Sequence, residues 1–396
     1  MHMKIFFYLV ILQTVLFSCT IKQKETLSNP NLSVINLDNL DIKENINASS
    51  FFKSPKSIIL ETSAESLIEE IGQIYIDKNH IIIFDNSTNL SILVFNIDGT
   101  YSHKIGELGR GPHEYISIAD FTVDNNAQEI YLLDSDDFKV KKYNIQNGEF
   151  INSISINQNR LSRHIQYQSN SLYIDANYKS DDKSLLYQID KETGKEIACW
   201  LDADRYNRGW METFMLSGSF FLSRNARQVK FAQAFMDTVV SIQDRTVSPF
   251  MVVKSKRWIK YDEMQKVYAE YGIEAYNKII EQNKIFGITD LIETNKGIFF
   301  KYCDGLGQRN IYNSEQESFA FTTLIDDLAY KEERFPLNLK WSDAKGVYTY
   351  CNPLLYASFA GTTLKDIINT NVDKYNELIK LPEDANPVIF YYEFKE

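Results

Sequence analysis

The sequence predicts an all-β fold, a six-bladed β-propeller with two helical insertions, and three observations carry that expectation. An aromatic-x-Ile step followed by a turn with glycine recurs at Phe95-Asn96-Ile97-Asp98-Gly99, Tyr143-Asn144-Ile145-Gln146-Asn147-Gly148, and Tyr187-Gln188-Ile189-Asp190 with Gly194. Its spacing, about 45 to 50 residues, is the period of a four-stranded propeller blade. Aromatic residues make up 13% of the chain, with 24 Tyr and 25 Phe, which suits many half-buried strands. Finally, Ser57-Ile58-Ile59-Leu60-Glu61 is a spare strand ahead of the first blade, while the last blade lacks its fourth strand. Joining the two satisfies both edges of the ring, which would otherwise stay open to aggregation.

In chain order, Met1 to Ser18 reads as a signal segment. Lys4 supplies a small positive start, and the apolar run Ile5 to Phe17 is too short to span a bilayer, which needs about 20 residues. Leu16-Phe17-Ser18-Cys19 resembles the lipobox of bacterial lipoproteins, which implies lipidation at Cys19. Residues 19–50 are polar and read as a tether with little to pack. Residues 51–396 form the propeller.

The first blade is organised by the stretch from Ile81 to Tyr115, which holds short strands, the Asp98-Gly99 hairpin and a Gly-rich exit loop. Short strands precede the repeated step at Ile81 to Phe84, Ile130 to Leu133, and Leu172 to Ile174. Outer strands follow the first two at Tyr101 to Ile105 and Phe150 to Ile156. Met211 to Leu222, Thr238 to Ile242 and Pro249 to Val253 give a fourth blade. A fifth takes Ile285 to Thr294, Gly297 to Tyr302, Asn310 to Asn313 and Ser318 to Leu324. Leu337 to Trp341, Val347 to Tyr350 and Pro387 to Phe394 begin the sixth, which Ser57 to Glu61 completes.

Two stretches carry helical periodicity instead. In Ile259 to Lys284, one face collects Met264, Val267, Tyr268 and Tyr271, and after a break at Gly272 another collects Ala275, Tyr276, Ile279 and Ile280. In Thr363 to Lys380, Leu364, Ile367, Ile368, Tyr375, Leu378 and Ile379 share a face. Thr363 and Asp366 give a capping-box start and Pro382 a stop.

The run Gly106-Glu107-Leu108-Gly109-Arg110-Gly111-Pro112-His113-Glu114-Tyr115, of form GxxGxGPxEY after a strand, resembles bacterial six-bladed β-propeller lipoproteins with NHL-like repeats. Phe235-Met236-Asp237-Thr238-Val239 with Val247-Ser248-Pro249 is similar to a later blade of that family, and Asn386-Pro387-Val388-Ile389-Phe390-Tyr391 to its closing strand. The resemblance implies the fold and an envelope location, with the outer membrane as the expected anchor, and transfers no catalytic residue.

Net charge is −11 from dispersed acids, which argues against nucleic acid or anionic lipid as partners and leaves the lipid anchor as the membrane contact. Cys199, Cys303 and Cys351 are widely spaced, so they give neither a disulfide framework nor a CxxC site and read as small buried side chains. No HExxH or close histidine pair occurs among His80, His103, His113 and His164, so no metal or cofactor is expected. Asp134-Ser135-Asp136-Asp137 lacks the downstream Glu of a calcium loop and reads as a β-turn.

Connections from outer to inner strands share a face with those joining second and third strands. Gly106 to Tyr115, both helical insertions, Asp85 to Asn89, Asp134 to Asp137, Leu201 to Trp210, Ser223 to Gln228 and Asp304 to Arg309 are therefore expected on one loop-rich face, where function usually sits. The glycines of the 106–115 loop do not match a phosphate cradle and are explained by backbone geometry. Arg110, His113, Arg208, Trp210, Arg224 and Arg309 are the candidate ligand residues, an arginine-rich ring suited to anions by charge-assisted hydrogen bonds. The expected function is a non-enzymatic, monomeric binding or scaffolding module for a small anion, a glycan or an envelope protein. The alternative is a metal-dependent hydrolase or lyase at the central channel, which requires acidic or histidine ligands converging from several inner strands.

Overall fold

The computed structural model describes residues 21–22, 32–88, 90–159, 161–176, 183–206, 220–222, 228–244, 246–304, 307–354 and 362–396. Met1 to Ser18, Cys19, Arg208, Trp210 and Arg224 lie outside them. Among the described residues no helix is long and apolar enough to cross a membrane.

Six sheets form the ring of a propeller. The N-terminal segment supplies β1 (Ile21–Lys22), β2 (Ser33–Asn36), β3 (Asp41–Asn47) and β4 (Lys56–Ile59). The first blade is β5 (Ile71–Ile76), β6 (His80–Asp85), β7 (Ser91–Asn96) and β8 (Tyr101–Ile105). The second is β9 (Asp120–Asp124), β10 (Glu129–Asp134), β11 (Lys139–Asn144) and β12 (Phe150–Ser155). The third is β13 (Ile165–Gln168), β14 (Ser171–Asp175), β15 (Ser184–Asp190) and β16 (Glu196–Asp202), which leads into a single helical turn, α1 (Ala203–Tyr206). The fourth is β17 (Phe220–Leu222), β18 (Gln228–Phe231), β19 (Thr238–Gln243) and β20 (Thr246–Lys254). The fifth is β21 (Ile285–Glu293), β22 (Ile298–Asp304), β23 (Gly307–Asn313) and β24 (Ser318–Ile325). In the sixth, β25 (Trp341–Ser342), β26 (Gly346–Cys351) and β27 (Val388–Glu393) are completed by β4.

The repeated aromatic-x-Ile step has a structural cause. In the first three blades the pairing of third and outermost strands slips near it, at Val94/Phe95, Lys142/Tyr143 and Gln188/Ile189, and the fourth blade slips without the step at Val239/Val240. Such bulges increase twist, turning the outer strand away from its partner. The aromatic ring stays inside: Phe95, Tyr143 and Tyr187 are buried between blades.

Ring closure follows the expected pairing. β4 runs antiparallel to β27, with Ile59 opposite Val388 and Lys56 opposite Tyr391. β4 then seats on the first blade, where Gly99 accepts the Glu61 N–H at 2.8 Å and Glu61 Oε2 accepts the Tyr101 N–H at 2.9 Å. Gly99 has φ +96°, and a Cβ there would sit 2.1 Å from the Ile59 carbonyl oxygen, so both backbone angle and space exclude a side chain.

Residues 32–50 depart from the expected tether. β2 pairs in parallel with β20, and β3 with β24 along Asp41–Asn47, so the segment runs along the rim as a fifth strand of successive blades. The two-residue β1 adds to β16 in the same way. Polar composition hid this, because strap strands on a rim need backbone hydrogen bonds more than apolar side chains: Ile42 is 80% exposed within β3. Ile35 and Ala48 are buried and anchor the segment in the core, with Leu37, Leu40 and Ile46 packed against it.

The first insertion is helical as expected, α2 (Tyr261–Tyr271) and α3 (Ala275–Glu281) flanking a 3-10 turn at Gly272–Glu274. Met264, Val267, Ala275 and Ile279 are buried, while Tyr268 and Tyr271 are exposed, which narrows the packed stripe. The second, expected as one helix, is two single turns, α4 (Leu364–Ile367) and α5 (Tyr375–Leu378). The Thr363–Asp366 capping box is present, and Ile368 leaves the helix with extended angles, its side chain buried in the core of the fifth and sixth blades.

Candidate functional site

The strand order puts the inner-strand entrances at one end of the channel, and in the first three blades these entrances are fixed by a repeated side chain. Asp85, Asp134 and Asp175 each end a second strand and are each buried. Asp85 accepts the N–H groups of Glu69 and Glu70 at 3.1 and 3.0 Å. Asp134 accepts those of Ile116 and Ser117 at 2.9 and 3.2 Å, and Asp175 those of Arg163 and His164, both at 2.8 Å. Each carboxylate thus clasps the chain entering the inner strand of its own blade. In the Asp134 cluster residues 135–138 form the expected turn, but Asp134 itself is this buried clasp and not a solvated side chain, with Lys141 Nζ 3.6 Å away. In the sixth blade Asn386 does similar work: its Oδ1 accepts the Ile68 N–H, and its amide donates to the Glu61 and Ser66 carbonyls.

At this end of the axis lies a cavity of about 370 Å³, lined by residues of all six inner strands or their entrances: Gln73, Asp120, His164, Phe221, Asp290 and Trp341 among others. Asp120 is on β9 and accepts the Ile165 N–H of the next blade at 2.9 Å. Burial pushes its carboxyl up to about 6, against the opposing pull of His164. The His164 Nδ1 lies 2.8 Å from Asp175 Oδ2. Burial disfavours the imidazolium, but Asp175 and then Asp120 outweigh it and raise the His164 pKa above its ordinary value. Across the axis, a register shift in β21 between Thr289 and Ile292 places Asp290 at a bulge, at φ +50°, with its carboxylate 3.2 Å from Lys301. Lys340 Nζ lies 4.7 Å from the Trp341 ring centroid.

None of the described candidate residues named from the sequence lines this cavity. The 106–115 loop is instead a wedge between the first two blades. Tyr115 is fully buried and donates its hydroxyl to the Leu90 carbonyl, while its N–H and carbonyl bond to Glu107 and Gly109. Glu114 folds back so that its Oε2 accepts the Gly111 N–H at 2.7 Å, and a Cβ on Gly109 would meet that oxygen at 2.0 Å. The motif is therefore a packing device. His113 stacks on Phe150 with ring centroids 4.7 Å apart, and its carbonyl accepts the Tyr143 hydroxyl. Arg110 is exposed on this wedge. Arg309 is exposed within β23 opposite Tyr302, not in a loop.

The assignment of Gln228 to the loop-rich face is also corrected, while Ser223 to Arg227 lie outside the described residues. Gln228–Phe231 is the second strand of the fourth blade. That strand was missed because Lys230, buried against Glu293 at 3.3 Å, interrupts its apolar pattern. Cys199, Cys303 and Cys351 are buried and form no disulfide among the described residues, as the spacing suggested.

The architecture and its axial cavity define a six-bladed β-propeller with a ligand-sized site at one end of the channel. The chain belongs to the family described as Domain of unknown function (DUF4934), whose model matches residues 32–393. A candidate exported protein from Bacteroides fragilis NCTC 9343 is similar in structure, with a TM-score of 0.71 at 17% identity, over 92% of this chain and 100% of that one. A member of the DUF4221 family from Bacteroides vulgatus ATCC 8482 aligns over 87% of this chain and 98% of its own, at 12% identity and a TM-score of 0.49. None of the curated proteins matches the chain.

Proposed function

We propose that this chain is an exported, lipid-anchored envelope propeller that acts as a binding module, holding a small polar molecule in the axial cavity. The observation that carries the reading is the cavity itself, to which every blade contributes lining residues. A site built on six rigid sheets is preorganised, so little ordering cost opposes binding. The apolar run ending at Cys19 supports the anchor, and likeness to a candidate exported protein agrees with an address outside the cytoplasm. Among the described residues no three His, Cys, Asp or Glu side chains gather as a metal site, so no observation favours the metal-dependent alternative.

The test is a thermal-shift screen of amino acids, sugars, organic anions and polyamines against the wild type and Ala119→Trp, which fills the cavity from its wall. A class that stabilises the wild type and not the filled variant supports the reading. Shifts that survive in Ala119→Trp, or a complete absence of shifts, would overturn it.

A further inference from the structure

We propose that the axial cavity selects a zwitterion, an α-amino acid or a dipeptide, with its ammonium at the Asp120 wall and its carboxylate at Lys340. This deepens the binding reading above and rests on it. The charged side chains lining the cavity among the described residues are Asp120, His164, Asp290 and Lys340. Their distribution is polar. Asp120 and His164 belong to the junction of the second and third blades, where Asp120 bonds to the Ile165 N–H across the blade boundary. Asp290 and Lys340 belong to the fifth and sixth blades, which in a ring of six lie diametrically opposite.

The two walls present groups of opposite charge to the cavity, the Asp120 carboxylate and the Lys340 ammonium. On one, Asp175 holds the His164 imidazole, with Arg163 close enough to oppose its protonation, and the carboxylate that lines the cavity there is Asp120. On the other, Asp290 is neutralised by Lys301 at 3.2 Å. Lys340 lies over the Trp341 ring and forms no ion pair with a carboxylate of the described residues, so that wall is cationic. A simple anion entering the cavity meets the Asp120 wall, and a simple cation meets Lys340. A molecule carrying both charges meets a partner at each end, and these are the stronger, charge-assisted hydrogen bonds.

Between the walls, Gln73 and Gln166 donate their amide N–H groups to the Phe121 and Tyr167 carbonyls, which leaves their Oε1 atoms as acceptors for a ligand N–H. The volume of about 370 Å³ lies at the small end of ligand pockets, suiting an amino acid or dipeptide and excluding a longer peptide.

The experiment is isothermal titration of the full mature chain with the common L-amino acids, L-alanyl-L-alanine, its N-acetyl form, its C-terminal amide and maltose. Circular dichroism melts establish that each variant is folded. An unmodified amino acid or dialanine should bind, and blocking either end should weaken dialanine by about tenfold or more. Asp120→Asn and Lys340→Met should each lose affinity by a similar factor, and Asp120→Asn should shrink the penalty for N-acetylation specifically. Equal binding of blocked and free dialanine, unchanged affinity in both variants, or no binding of any zwitterion would overturn the proposal. Maltose or an organic anion binding in a manner abolished by Ala119→Trp would preserve the axial binding module while removing the zwitterion. Zwitterion binding that survives Ala119→Trp would remove both.

Discussion

The first three blades and the last three solve the same problem with different parts. In the first three, the carboxylate ending each second strand ties down the chain that enters the inner strand, through Asp85, Asp134 and Asp175. The restraint is local, spanning under twenty residues, and it recurs with the blade. In the last three, the sequence has drifted, and distant parts of the chain do the holding. The N-terminal segment adds β2, β3 and β4 to their outer edges, and Asn386 reaches back to the entrance of the first blade. A regular repeat can carry its own joints. Where repeats diverge, stability comes from segments far apart in sequence, at a cost in loop closure that grows only slowly with length.

Truncation should break this contrast most visibly. Deleting residues through Glu61 removes β2 to β4, opens the sixth blade and strips Phe52 and Ala48 from the core, so the chain should aggregate. Deleting through Ser50 removes β1 to β3 and leaves β4. It should give a soluble protein with a clearly lowered Tm, because the parallel edge pairings and the buried Ile35 and Ala48 are lost. Deleting the segment through Asn31 removes only the two-residue pairing of β1 with β16 and should lower the melt least. Expression and thermal melts of the three truncations decide the matter, and equal Tm for the Ser50 and Asn31 truncations would show that the strap contributes nothing.

The second effect is local to the early blades. Asp134→Ala leaves the Ile116, Ser117 and Asp137 N–H groups without their acceptor and Lys141 without a buried partner. Removing one member of a buried charged cluster costs about 3 to 5 kcal/mol, so chemical denaturation should show a loss of that size. Asp136→Ala, at an exposed turn position, should lie within about 0.5 kcal/mol of the wild type.

The smallest effect belongs to the later blades and appears as a pH dependence. Asp326, beside the junction of the fifth and sixth blades, is buried, and burial raises its carboxyl to about 6 against the Tyr392 hydroxyl and the Ala329 N–H that favour the charge. The folded state therefore holds this proton more tightly than the unfolded chain does. Its contribution favours folding at low pH, declines as pH rises from about 4 to 6 and is lost above that. A rise of this size is worth about 2 to 3 kcal/mol at most. Asp326→Asn should flatten the fall in stability across that window, and an unchanged slope would exclude Asp326 as its source.

Much of this architecture was legible in the chain. The aromatic-x-Ile steps locate the twisting bulges, the Asp98-Gly99 turn locates a left-handed position, and the spare strand at Ser57 to Glu61 locates the closure, because each is a local pattern imposed by a repeating backbone. The clasps carried a readable signal too: an aspartate follows the apolar run in Ile81-Ile82-Ile83-Phe84-Asp85, Ile130-Tyr131-Leu132-Leu133-Asp134 and Leu172-Tyr173-Ile174-Asp175.

The site was not legible. Arg110 and His113 attract attention as charged groups in a glycine-rich loop, yet Tyr115 and Glu114 turn that loop into a wedge. Asp120, His164 and Lys340 carry no motif and stand far apart in the chain. What the sequence by itself determined was the repeat, its turns and the number of blades, since these follow from local hydrogen bonding and alternation. Which side chains meet on the axis was decided by the closed ring alone. Strand register sets which residues face the channel, and closure sets which blades oppose one another, so a cavity with an acidic wall and a basic wall exists only after β4 has joined β27.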